Sequence, residues 1–158
     1  METFHTGFVV PDIHDGMAEL SRALDLRWTP VEERELPLVG PDGDFRPNLR
    51  FAYTVEGPHH LEVIEAVPGT LWDLPPEGRV GRIATHHVGV WCDDLAATSQ
   101  QLEADGAPRL VTYQTRSGEV AGFAYHRLPS GSLIELVDAA RREDFEAWFA
   151  GAPFPAGG

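Results

Sequence analysis

The chain is poor in cysteine, in positive charge and in long apolar runs, and each shortage removes a class of protein. Its one cysteine, Cys92, excludes an internal disulfide and a cysteine-built zinc site. It lies in an apolar run that reads as buried strand, where a thiol without a neighbouring cation is inert. Twelve Lys and Arg stand against 25 Asp and Glu, a formal charge of −13. That field repels phosphate backbones and anionic lipid, so neither nucleic acid nor membrane is an expected partner. The acidic residues come in short groups, Glu32, Glu33 and Glu35 or Glu143, Asp144 and Glu146, which read as solvated surface. No apolar stretch approaches the ~18 residues that span a bilayer. The opening METFHTGFVV has no basic region ahead of an apolar one, and a cytoplasmic location is expected. Walker loop, dinucleotide fingerprint and nucleophile elbow are all missing, which sets aside nucleotide-driven, hydride-transfer and serine-hydrolase chemistry.

What is present is enough for one core: 158 residues, 42% of them apolar. The chain also repeats itself. Residues 5–13, HTGFVVPDI, match residues 87–95, HVGVWCDDL, in the His, the Gly two positions on, the Asp and the closing aliphatic. FAY at 51–53 recurs at 123–125, and LEVIEA at 61–66 recurs as IELVDA at 134–139. The offset shrinks along the chain, which places an insertion in the first half, in the Gly-Pro-Asp-rich stretch 38–48.

In each half a β-rich run ends at an Asp suited to cap a helix. Met17, Leu20, Ala23 and Leu24, and then Leu95, Thr98 and Leu102, recur at helical spacing. Three β-rich runs follow each helix: 27–39, 49–56 and 59–67, then 109–115, 120–128 and 132–139. The expected fold is therefore α+β, a single domain (1–158) of two tandem βαβββ modules. Module one spans 3–67, a Pro- and Gly-rich connector 68–83, module two 84–140, and a C-terminal helix and tail 141–158. Phe145, Trp148 and Phe149 give that helix an aromatic face for docking, and the last residues read as a frayed tail.

Side chains alternate across a strand. In the first strand Phe4, Phe8 and Val10 fall on one face and His5, Gly7 and Val9 on the other; Val88, Val90 and Cys92 oppose His87, Gly89 and Trp91 in the same way. Glu62 and Glu135 oppose the apolar residues beside them in the last strand of each module. Folding would put two imidazoles and two carboxylates on semi-buried sheet, and a buried carboxylate needs a partner. One divalent transition metal ion held by His5, Glu62, His87 and Glu135 would satisfy all four, since imidazole nitrogen and carboxylate oxygen suit Ni, Co, Mn, Fe or Zn. Two separate Glu–His hydrogen-bonded pairs, or residues on a solvated face, would satisfy them as well. Duplication of the same pattern in both halves favours the ion.

The stretches HHVGVWCDDL (86–95) and LPSGSLIELVD (128–138) resemble the vicinal oxygen chelate superfamily, which includes glyoxalase I, methylmalonyl-CoA epimerase, extradiol dioxygenases, fosfomycin-resistance enzymes and bleomycin-binding proteins. The resemblance spans roughly 3–140. It implies a curved, half-barrel-like mixed sheet around a cleft, with His5, Glu62, His87 and Glu135 as metal ligands in an order most similar to bacterial glyoxalase I. It further implies proton transfer (isomerisation, epimerisation or lyase chemistry) on a small carbonyl substrate chelated to the metal, with Glu62 or Glu135 leaving the metal to act as base. Glu33, Glu35 and His126 are further candidates for the base. An oxygenase needs only two His and one carboxylate, and Glu62 argues against it by filling an open site.

Trp91, Phe51, Tyr53, Phe123 and Tyr125 would line the cleft for an apolar or planar part of the substrate; as core strand residues they also need no ligand. No Arg and Asn pair for glutathione can be matched, although Arg22, Arg27 and Asn48 are available. The 38–48 stretch suits either a lid or a surface turn. His60 is expected near a surface turn, His86 as a structural hydrogen-bonder on the helix-packing face, and His14 exposed. A binding module of the bleomycin-resistance type, without turnover, is the alternative reading. A second copy of the chain, as a homodimer, is the expected protein partner.

Overall fold

The computed structural model describes residues 1–74 and 83–155, so part of the expected connector and the end of the tail lie outside the described residues. Strand β1 (Glu2–Val10) runs into Asp12, whose carboxylate accepts the backbone N–H groups of His14 and Asp15 at 2.9 and 3.0 Å and starts helix α1 (Ile13–Leu24). There follow β2 (Glu32–Glu35), β3 (Leu38–Gly40), β4 (Gly43–Phe45), β5 (Asn48–Tyr53) and β6 (His60–Glu65). The second half restarts with β7 (Ala84–Cys92), and Asp94 accepts the N–H of Ala97 at 2.9 Å to start α2 (Leu95–Ala104). Then come β8 (Arg109–Tyr113), β9 (Phe123–Arg127), β10 (Leu133–Asp138), a 3₁₀ turn (Ala139–Arg141) and α3 (Arg142–Phe149).

Among the described residues the strands form one sheet in the order β2-β5-β6-β1-β7-β10-β9-β8-β3-β4. β1 pairs parallel with β6, and β7 with β10, while the rest of each half is antiparallel. The halves meet where β1 and β7 pair antiparallel, so the two His-bearing strands lie side by side at the middle of the sheet.

Two expectations change. The run 27–39 is not one strand: Trp28 makes only an isolated bridge to Thr54, β2 follows, and β3 is a separate strand. Pro30 and Pro37, which lack the N–H a ladder needs, fall at the breaks. The 38–48 stretch is neither a free lid nor a simple surface turn. It forms the β3–β4 hairpin, and Leu38 and Val39 pair with Tyr113 and Thr112 of β8, in the other half of the molecule. Since only Leu36 and Pro37 separate β2 from β3, one short segment supplies strands at both ends of the sheet and the sheet curls toward closure.

The convex side packs on the helices, with Val10, Ala52 and Val63 meeting Ile13 of α1 and Val90, Cys92, Ala124 and Leu136 meeting Leu95 of α2. The concave side is filled by a larger, aromatic cluster that includes Phe4, Tyr53, Trp72, Trp91, Phe123 and Tyr125. Helix α3 docks into that side, burying Phe145 and Trp148 and stacking the half-buried Phe149 on His60 at 4.0 Å between ring centroids. Truncating either buried ring would cost about 3–5 kcal/mol by the general cost of emptying aromatic sites.

Candidate metal centre

Two bulges set the centre's geometry. Along the β1–β7 ladder Thr3 faces Val90 and His5 faces Gly89, which leaves Phe4 without a partner; Gly7 faces His87 and Phe8 faces Thr85, which leaves out His86. Each extra residue immediately precedes one of the central histidines, and a bulge re-aims the side chains around it. Phe4 thus leaves the helix-packing face expected from alternation and joins the concave cluster, stacked on Trp91 at 4.0 Å and edge-on to His5. His86 also leaves the expected helix-packing face, and lies behind His87.

The structure brings His5, Glu62, His87 and Glu135 together, all buried, with one ligand atom from each lying within 4.8 Å of the others. His5 Nε2 is 2.8 Å from His87 Nε2, 2.9 Å from a Glu135 oxygen and 3.5 Å from a Glu62 oxygen. His87 Nε2 is 3.2 Å from both carboxylates. Neighbouring ligand atoms around an ion with bonds of about 2.1 Å stand about 3 Å apart, so the four atoms fit one transition-metal site. The same oxygens, Oε2 of Glu62 and of Glu135, are buried and face the two imidazole nitrogens. Two buried carboxylate oxygens converging with two imidazole nitrogens are a ligand set that a bound cation would satisfy.

The protonation pattern agrees. His86 Nε2 lies 2.9 Å from the Leu71 carbonyl oxygen, which can only accept, so this nitrogen carries the proton. Burial and the adjacent His87 push the His86 pKa down to about 4, leaving its Nδ1 bare to accept from His87 Nδ1 at 2.9 Å. His87 is thereby held with Nε2 facing the centre, the orientation a ligand needs. Burial disfavours charge on His87, but hydrogen bonds with Glu135 and Glu62 raise its pKa to about 9. Glu135, also opposed by burial, is held at about 2 by hydrogen bonds with His5 and His87.

Tyr53 and Tyr125 sit directly across the ladders from Glu62 and Glu135. Burial, then the two carboxylates, keep both phenols well above the ordinary range, so they are neutral. The Tyr125 hydroxyl lies 3.3 Å from His87 Nε2 and 3.5 Å from the Trp72 indole N–H.

Glu62 and Glu135 form the floor of a cavity of about 70 Å³. Phe51, Tyr53, Phe123 and Tyr125 line it as expected from sequence, joined by residues that sequence reasoning missed: Arg34, Trp72, Tyr113, Arg141 and, from α3 and the segment after it, Phe145 and Phe154. Trp91 is absent from the lining, because the bulged Phe4 ring covers it on one side and Arg142 lies over it at 5.3 Å. Glu33 and Glu35 are exposed on β2, and His126, fully buried, bonds to Ser99 and the Ala107 carbonyl beneath α2, so none of these three reaches the floor. His60 is buried rather than at the surface, its Nδ1 2.7 Å from the Thr54 carbonyl. His14 is exposed, as expected. Arg22 is exposed on α1, Arg27 pairs with Glu56, and Asn48 bonds to Glu33, all outside the cavity.

A family model described as the glyoxalase/bleomycin resistance protein/dioxygenase superfamily matches residues 4–125. No curated protein matches the chain. Among solved structures, methylmalonyl-CoA epimerase from Mycobacterium tuberculosis is similar at 17% identity and a TM-score of 0.57, covering 90% of each chain. A variant of the Streptomyces coelicolor methylmalonyl-CoA epimerase in complex with 2-nitronate-propionyl-CoA is similar at 16% identity and 0.58, covering 89% of this chain and 98% of that one. A hypothetical protein from Bacillus halodurans is similar at 18% identity and 0.58, covering 87% and 93%. At these identities the likeness speaks for the fold.

Proposed function

The chain belongs to the glyoxalase/bleomycin resistance protein/dioxygenase superfamily, and on that premise we propose that it is a metal-dependent, epimerase-like enzyme that moves a proton next to the carbonyl of a small substrate. The observation that carries this reading is the convergence of two buried carboxylate oxygens and two imidazole nitrogens at a cavity. His5, Glu62, His87 and Glu135 would hold one divalent ion, which when bound supplies Lewis-acid polarisation of a carbonyl oxygen.

The chain's own residues account for the rest. Either floor carboxylate can accept a proton from a carbon above it, and Glu62 is the better base, since Glu135 is held more tightly by His5, 2.9 Å against 3.5 Å. The neutral phenols of Tyr53 and Tyr125 donate toward oxygen atoms that gain negative charge. The aromatic walls keep water from the carbon that loses its proton. An acyl-CoA ester, of the kind named for the epimerase neighbours, would place only its acyl end in a cavity of this size.

Sequestration of a planar ligand without turnover has one observation in its favour, the aromatic lining. It gives the convergence of His5, Glu62, His87 and Glu135 no role, and is the weaker reading for that reason. The test is elemental analysis of dialysed wild type beside His87→Ala, followed by proton-exchange spectroscopy of oxo acids and acyl thioesters in deuterated water. About one equivalent of a transition metal in wild type alone, with exchange lost in Glu62→Gln, is the expected result. Wild type that takes up no Ni, Co, Mn, Fe or Zn would overturn the proposal.

A further inference from the structure

The chain contains no lysine; all twelve of its basic residues are arginines, set against 25 acids. Two of the arginines line the cavity described above. Arg34 is engaged with Glu32 at 2.6 Å, and its side chain is about half exposed. Arg141 differs. It lines the cavity, has no carboxylate partner among the described residues, and lies over the Phe145 ring at 5.1 Å. Its charge also favours ionisation of the neighbouring Tyr113 phenol, against the burial that raises that group.

A guanidinium that lines a cavity without a carboxylate partner is a receptor for a planar anion, because its fork of N–H donors matches a carboxylate. The space left is small, about 70 Å³, which suits a compact ligand or the end of a larger one. Glu62 and Glu135 line the same cavity and, on the reading above, mark where a carbonyl would lie.

We propose that Arg141 is a specificity-determining residue, and that the cavity takes small anionic carbonyl compounds, oxo acids of about three carbons or the equivalent end of a larger molecule. The carboxylate sits on Arg141 and the carbonyl is turned to the floor. This rests on the proposed function for the role of the floor, but not for the role of Arg141. With no lysine in the chain, the carbonyl cannot be held as a Schiff base on a lysine side chain.

The probes are pyruvate and pyruvamide, which have the same shape and differ in charge, titrated by calorimetry into the protein as purified and after dialysis against a chelator. Wild type should bind pyruvate at least about tenfold more tightly than pyruvamide in the dialysed protein, where chelation by an ion plays no part. Arg141→Gln should abolish that preference, Arg141→Lys should keep part of it, and Arg22→Gln, outside the cavity, should leave it unchanged. Equal affinities in wild type, no binding of pyruvate, or a preference that survives Arg141→Gln would each overturn the inference. Because the dialysed protein carries the comparison, failure of metal uptake would count against the proposed function and not against Arg141.

Discussion

His5 stands opposite Gly89 across the β1–β7 ladder, and His87 stands opposite Gly7. A Cβ on Gly7 would overlap the His87 ring, and one on Gly89 the His5 ring, so each module's glycine makes room for the other module's imidazole. The backbone cannot retreat, since both strands are central and paired on both sides. Gly7→Ala and Gly89→Ala should therefore each lower metal affinity at least about tenfold with the far-UV dichroism unchanged, read by competition with a chromophoric chelator; undiminished affinity in both would show that the rings have other room. His86→Phe removes the acceptor that orients His87 and should cost about 10–100-fold in the same assay, the usual effect of losing such a partner. The metal must also displace the proton on His87, whose pKa is raised to about 9. Below that value affinity should fall by about tenfold per pH unit. At pH 7, calorimetry in buffers of different ionisation heat should report about one proton released, and no buffer dependence would refute the assignment.

Hairpin β3–β4 ties the first half of the chain to the second, and its anchor is Leu38, which is fully buried and paired with Tyr113 of β8. Leu38→Ala should destabilise by about 2–5 kcal/mol in urea unfolding, whereas Asp42→Ala at the exposed turn should stay within about 0.5 kcal/mol. A small effect at Leu38 would mean that the hairpin merely lies on the sheet. This element also shows where sequence reading stops. The two βαβββ units were visible because their strands carry matched His, Gly and Glu positions, and strand alternation sufficed to put Glu62 and Glu135 on the side of the histidines. The hairpin was not visible, because three-residue strands around Pro41 and Gly43 are too short to alternate and look like a loop. The bulges at Phe4 and His86 leave no mark in residue type, so alternation sets these two on the helix-packing face, while Trp91 keeps its expected side and is covered there by Phe4. Arg141, Phe145 and Phe154 reach the cavity only through the docking of α3, a tertiary event that the helix's own periodicity does not aim.

Across the whole molecule the buried charges oppose a net charge of −13, and their balance depends on pH. Without metal, the His87 contribution is complete below its unfolded value of 6.5 and is lost as pH rises through about 9. The Glu135 contribution is complete above 4.5 and is lost as pH falls through about 2. The metal-free protein should therefore be most stable between about pH 4.5 and 6.5. The surplus of acidic groups adds self-repulsion to the alkaline side of that window. Metal works in the opposite sense, since it replaces the His87 proton and binds more tightly as pH rises toward 9. A free-ion concentration of about 1,000 times Kd adds about 4 kcal/mol to stability, and that increment should grow with pH. Paired scanning calorimetry of chelator-treated and metal-loaded protein from pH 6 to 9 should show melting temperatures that diverge. If the two curves ran parallel instead, the ion would not be competing with the His87 proton, and the centre drawn from His5, Glu62, His87 and Glu135 would have to bind it elsewhere.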